Sequence, residues 1–235
     1  MSANLMSLAR SGGKFLKLFG DRKMMKLLPY DAEVEWLGEG PTGSYIQTDI
    51  PTTKNTSCAV SMEVVNATKV DNGGICCAIY GLGTKDWNFY SYGLFYLTQA
   101  GQAQRGKLNF HGHNSVLSDL IQTDDPVRFD VSVSANGSDI VNISCGSFSS
   151  SASIKKIKDS GSFILLWNLS NKSLAKTRLV EVVFSADNAI LGSFIPVRFT
   201  NEDGVSEGAM YDKVSGQLYR NAGTGAFVIG PDKTI

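Results

Sequence analysis

The chain has 235 residues, with Lys plus Arg equal to Asp plus Glu at 22 each, and 24 glycines against six prolines. Balanced charge supplies no global field for nucleic acid, and no apolar run approaches the roughly 20 residues of a membrane-spanning helix. A composition rich in Gly, Ser, Thr and Asn suits strands and turns, and one all-β sandwich is the expected unit.

The charge is nonetheless segregated. Residues 1–28 carry Arg10, Lys14, Lys17, Arg22, Lys23 and Lys26 against Asp21, which marks the N-terminus as a separate element. Residues 4–28 read as two short helical pieces broken at Ser11-Gly12-Gly13 and near Gly20. Leu5, Leu8, Phe15, Leu18 and Phe19 fall at helix-like spacings with lysines between them, the pattern of a partner-binding or oligomerisation segment. A frayed basic tail and a membrane-surface helix are the other readings of the same pattern. Leu5 to Leu8 is too short for the apolar core of a secretory signal, so synthesis in the cytosol is expected.

From Leu28 the pattern becomes alternating. Leu28–Leu37 and Ser44–Asp49 read as strands on either side of a turn at Gly38–Gly43. Further strands are expected at 57–65, 74–80, 88–97, 107–110, 127–134, 140–145, 163–169 and 178–184, the rhythm of a two-sheet sandwich. In 57–65 the small or polar Ala59, Ser61 and Glu63 alternate with Val60, Met62 and Val64, and in 127–134 Phe129, Val131 and Val133 alternate with Arg128, Asp130 and Ser132. Each is a half-buried strand. Ser147–Ser153 reads as a low-complexity stretch rather than a strand. The last strands are Gly208–Asp212, Gln217–Arg220 and Ala226–Ile229, joined by turns at Val214-Ser215-Gly216 and Gly223-Thr224-Gly225 as a closing meander.

Cys58, Cys76, Cys77 and Cys145 have neither disulfide-framework nor zinc spacing, so they are expected as reduced, buried, small apolar residues. Six Asn-x-Ser/Thr matches, at Asn55, Asn66, Asn136, Asn142, Asn168 and Asn171, matter only in a glycosylating secretory pathway.

Gly208-x-Met210-Tyr211-Asp212, followed by Tyr219-x-Asn221-Ala222-Gly223-Thr224-Gly225-x-Phe227, resembles the C-terminal signature of concanavalin A-like (LamG-type) jelly-roll domains common in phage tail and prophage proteins. Tyr30-Asp31-x-Glu33-x-Glu35 and Tyr45-Ile46-x-Thr48 are similar to the opening of the same family. The resemblance covers roughly Leu28–Asp49 and Phe194–Pro231. It implies a two-sheet antiparallel jelly-roll β-sandwich over residues 29–235, carried behind a short helical N-terminal extension, residues 1–28. It also implies a non-enzymatic virion protein (tail, fibre or head decoration) that docks on other virion proteins or forms a homo-oligomer such as a trimer, with host-surface glycans as ligands. A purely structural assembly subunit and a glycan hydrolase are the alternatives.

The family includes glucanases, which use a Glu-x-Asp-x-x-Glu run that holds two carboxyls roughly 5 Å apart on one strand face. Here the comparable run is Glu33-Val-Glu35-Trp-Leu-Gly-Glu39, with Glu in place of Asp and Glu39 too far along. These carboxylates are expected on the solvent face of an edge strand. Calcium, another habit of the family, would look to the loop residues Asp71-Asn72, Asp124-Asp125 or Glu202-Asp203, none with the ordered spacing of a calcium loop. His111 and His113, two residues apart, share a face if the strand continues, which suits a polar groove lining better than a metal site lacking a third ligand. The densest aromatic run is Trp87–Tyr96. Sugar-binding sandwiches stack pyranose rings on aromatics and hold hydroxyls with Arg, His and Asn. The candidate carbohydrate-binding set is therefore Trp87, Tyr90, Tyr92, Arg105, His111, His113 and Asn114, against the alternative that these aromatics only fill the core.

Overall fold

The computed structural model describes residues 28–40, 43–68, 75–82, 92–97, 106–110, 115–154, 161–168 and 176–234. Its strands are β1 (Ala32–Glu33), β2 (Leu37–Gly38), β3 (Ile46–Pro51), β4 (Ser57–Val65), β5 (Ile75–Leu82), β6 (Tyr92–Leu97), β7 (Leu108–Phe110), β8 (Ser115–Val116) and β9 (Val127–Ser134). They continue with β10 (Ile140–Cys145), β11 (Phe148–Ser153), β12 (Ser162–Asn168), β13 (Lys176–Ala186), β14 (Ala189–Thr200), β15 (Ser206–Asp212), β16 (Gln217–Tyr219) and β17 (Val228–Ile229). Every pairing is antiparallel, in two sheets ordered β11-β10-β9-β4-β13-β14-β15-β16 and β3-β12-β5-β6-β7-β8. This is the all-β two-sheet sandwich that the alternation predicts, and it is consistent with the jelly-roll that the resemblance implies. The two helical pieces expected within residues 4–28, and the partner-binding Leu5, Leu8, Phe15, Leu18 and Phe19, lie outside the described residues.

Alternation decides which side chains enter the core. On β4, Cys58, Val60, Met62 and Val64 are buried, and on β9 Val131 and Val133 are buried while Arg128, Asp130, Ser132 and Ser134 are exposed. A chain of rings crosses between the sheets: Phe110 to Tyr92 (5.3 Å between centroids), Tyr92 to Phe163 (5.0 Å), Phe163 to Phe184 (4.5 Å), and on through Phe194 to Tyr219. The Phe163–Phe184 contact is tilted and the others are edge-to-face, and aromatic pairs add roughly 1 kcal/mol each beyond the area buried. Cys58, Cys77 and Cys145 are free and buried, as expected, and burial pushes the Cys58 thiol up to about 12.

The expected strand Leu28–Leu37 is instead two short pieces, because its residues serve different partners. β1 pairs with β14, at Arg198 and Val197, whereas β2 lies between β13 and β17. Between them Val34 bridges to Asp232. The closing meander also needs correction: β14, β15 and β16 are consecutive neighbours, but β17 leaves them and pairs with β2. The chain's beginning and end therefore form one seam.

The motif residues build this seam. Asp212 is buried and its carboxylate accepts the N–H groups of Ser193, Val214 and Ser215 and the Ser215 hydroxyl. Burial alone would raise its pKa, but these donors together hold it below the ordinary value. Asn221 accepts the N–H groups of Tyr45 and Gly223 and donates to the Gly225 carbonyl. Gly225 has φ +79°, the left-handed region its predicted turn requires. A Cβ on Gly223 would sit 1.7 Å from the Gly43 carbonyl oxygen, so backbone meets backbone at this point. On the outer face of β14 and β15, Ile195, Val197, Phe199, Ala209 and Tyr211 form a second apolar cluster under Tyr30, whose ring meets Tyr211 at 4.9 Å.

Candidate ligand-binding site

Of the seven candidate carbohydrate-binding residues, the structure describes Tyr92, and it corrects that assignment. Tyr92 is fully buried, its ring between Phe110 and Phe163 and its hydroxyl 3.4 Å from Cys58 Sγ. Strand parity puts Tyr90 and Tyr92 on one face but cannot say which face is the core. The ring and thiol neighbours make it the inner one, and a groove cannot use this side chain. Trp87, Tyr90, Arg105, His111, His113 and Asn114 lie outside the described residues.

The strands that flank those residues are described, and their order constrains the site. β6 and β7 are direct neighbours, with Leu94 opposite Phe110 and Tyr96 opposite Leu108. β6 begins at Tyr92, immediately after the segment that carries Trp87 and Tyr90, and β7 ends at Phe110, immediately before His111. Because the two strands run antiparallel, both segments attach at the same end of the smaller sheet. Leu82, where β5 ends, and Ser162, where β12 begins, are paired at that end too.

The three carboxylates of the glucanase-like run are separated by the fold. Glu33, half-buried, faces Lys233 (3.7 Å) and accepts the Tyr30 hydroxyl (3.4 Å). Glu35 is exposed. Glu39 overturns the expectation of a solvent-facing carboxylate: it is only 2% exposed. Its backbone N–H donates to the Thr177 carbonyl (3.1 Å) and its Oε1 meets the Thr177 hydroxyl. Burial raises its pKa from 4.5 to about 8, against the opposing effects of that hydroxyl and the Lys176 charge. A carboxyl held neutral in this way is a candidate acid in chemical terms, but no other carboxylate of the run shares its surroundings. No local signal in Leu37-Gly38-Glu39-Gly40 announces the burial, which accompanies the pairing of β2 with β13 at the far end of the sequence.

The loops considered as calcium candidates have turn-type hydrogen bonds where they are described. Asp124 accepts the N–H and hydroxyl of Thr68, and in the turn that contains Glu202-Asp203 the Asn201 side chain accepts the N–H groups of Asp203 and Val205. Asp71-Asn72 lies outside the described residues. Among the described residues, no group of three or more His, Cys, Asp or Glu is placed to hold a metal ion.

No protein-family model matches the chain, and no curated protein matches it. Among solved structures, the carbohydrate recognition domain of Emp47p is similar at a TM-score of 0.38 and 10% sequence identity, over 70% of this chain and 90% of that one.

Proposed function

We propose that this sandwich is a non-enzymatic carbohydrate-binding module of a phage-type virion protein (tail, fibre or head decoration) and that it binds host-surface glycans at the end of the smaller sheet. The observation that supports the reading is the β6–β7 pairing, in which Tyr92, two residues after Tyr90, and Phe110, directly before His111, lie at the same end of neighbouring strands. Aromatic faces next to imidazole and amide groups are what recognition of a pyranose ring and its hydroxyls calls for. Tyr92 is left out of this groove. Binding without hydrolysis is favoured by the dispersal of Glu33, Glu35 and Glu39 into three different settings. The virion setting rests on the two terminal motifs, with residues 1–28 as the attachment to other virion proteins or to further copies of the chain.

The test is a glycan array probed with the full chain, followed by titration of any hit. Trp87→Ala and the double variant His111→Ala/His113→Ala should each weaken binding at least about tenfold, a loss of roughly 1.4 kcal/mol, with unchanged thermal stability. Unchanged affinity in both variants removes the site. No binding on the array, together with pull-down of only capsid or tail proteins, replaces the glycan reading with a purely structural assembly role.

A further inference from the structure

A cleft of about 540 Å³ opens on the flank of the sandwich, between residues 117–123 and strands β9 to β11. Its origin is legible in the alternation. Val127 and Phe129 belong to the same inward row as Val131 and Val133, and Phe148 pairs with buried Cys145. Val131 and Val133 are sealed by the facing sheet, whereas Val127, Phe129 and Phe148 are only half-buried. The smaller sheet ends here with the two-residue β8, and the irregular chain after it leaves Leu120 51% exposed above the opening. Apolar side chains built for a core are thus presented at a mouth.

The surroundings are acidic. Asp119 and Asp130 line the cleft, Asp124 and Asp125 follow in the adjoining loop, and all four are exposed. The one arginine among them, Arg128, is turned to the outer face of β4, where it donates to Ser61 Oγ (2.7 Å) and pairs with Asp130 (3.8 Å), which leaves Asp119, Asp124 and Asp125 uncompensated by it. Residues 1–28 have the opposite character, with six basic residues against one acid and with Leu5, Leu8, Phe15, Leu18 and Phe19 at helix-like spacings.

We infer that this cleft is the docking site for the chain's own N-terminal segment, residues 5–19, with its Leu and Phe side chains against Phe129, Phe148 and Leu120 and its lysines over the aspartates. The geometry favours the same molecule over a second copy. The chain enters the described sandwich beside β14, where Asp31 donates its N–H to the Arg198 carbonyl. β14 and β9 belong to the same sheet, and the nine residues from Phe19 to Leu28 span up to about 30 Å when extended. A tether of that reach holds the segment at an effective concentration of order millimolar, well above what a free second copy supplies at ordinary protein concentrations. Docking covers, in the isolated subunit, the apolar side chains that the segment would otherwise carry exposed. It is independent of the glycan reading.

Zero-length carbodiimide cross-linking of the full chain tests this, using an equal mixture of ¹⁴N- and ¹⁵N-labelled protein. Links from Lys14 or Lys17 to Asp119 or Asp125 are expected, with both ends carrying the same isotope in every link. They should fall about tenfold or more in the full-chain variant Phe15→Glu/Phe19→Glu, and again in Leu120→Glu, whose exposed side chain can be replaced without unfolding the sandwich; tenfold is the factor that about 1.4 kcal/mol represents. Same- and mixed-isotope links in equal amounts, as random pairing in an equal mixture gives, would make a second copy the occupant and overturn the proposal. So would the absence of these links, or links that survive both variants unchanged.

Discussion

At the seam where the first and last strands meet, backbone packs against backbone, while at the β9–β11 flank the inward rows run past the sheet that should cover them. Both regions draw on the same period-2 alternation, but they differ in what faces it. At the seam β2 and β17 enter the space beside β13, and Asn221 and Asp212 satisfy the turns with side-chain bonds. At the flank β8 is two residues long, and among the described residues no strand continues the cover over Val127 and Phe129. A sandwich is therefore sealed by where its covering strands end, and equal hydrophobicity along a strand does not mean equal burial.

Paired truncations break or sharpen this contrast. Phe184→Ala, in the sealed ring chain, should cost about 4 kcal/mol, whereas Phe129→Ala at the open flank should cost well under half of that, because its site already borders solvent. Denaturant unfolding of both variants checks it, and equal losses would mean that the flank is covered.

Next in size is Gly223→Ala at the seam. A new methyl group would press on the Gly43 carbonyl, which Thr224 N–H also uses (3.0 Å), so the loop must separate from the Tyr45 turn. The expected cost is roughly 3 kcal/mol, in the range of severe backbone and packing lesions. A melting temperature within a degree or two of the parent would show that the two loops are not in register.

The smallest effect is electrostatic and changes with pH. The pKa of Glu39 is raised in the fold from 4.5 to about 8, so the folded state holds its proton more tightly than the unfolded chain does. Its favourable contribution is complete below the unfolded pKa and is lost as pH rises from about 4.5 to about 8. Glu39→Gln, which keeps the shape without the charge, should be nearly neutral at pH 4 and stabilising by on the order of 2 kcal/mol above pH 8. Unfolding free energies measured across that range should show a shallower pH slope for the variant. An identical slope would place the carboxyl in water.

Much of the fold was legible because alternation is a local signal. Strands 57–65, 127–134 and 140–145 have the predicted limits, and the predicted turns at Gly216 and Gly225 have positive φ. What escaped depended on distant partners. Phe148–Ser153 is read from sequence as a serine-rich stretch, yet it is β11, held by register with β10 and burying only Ala152 of its six residues. Its strand character comes from the neighbour rather than from its own apolar content. The break between β1 and β2, the departure of β17 and the burial of Glu39 share that cause, since each is imposed by strands from the other end of the chain. The candidate site was less legible still. Parity grouped Tyr92 with Tyr90, and only the positions of Phe110, Phe163 and Cys58 reveal that Tyr92 points inward.

The seam also sets an order of events as the chain folds. β1 and β2 come first in the described sequence, yet their partners are β13, β14 and β17 from its far end. Contacts so remote in sequence carry the largest loop-closure cost and form slowly. Until the final loop closes over Gly43, the edges of β13 and β14 that β2 and β1 will occupy stay open, so the interval before that closure is when the chain is most exposed to pairing with the wrong strand.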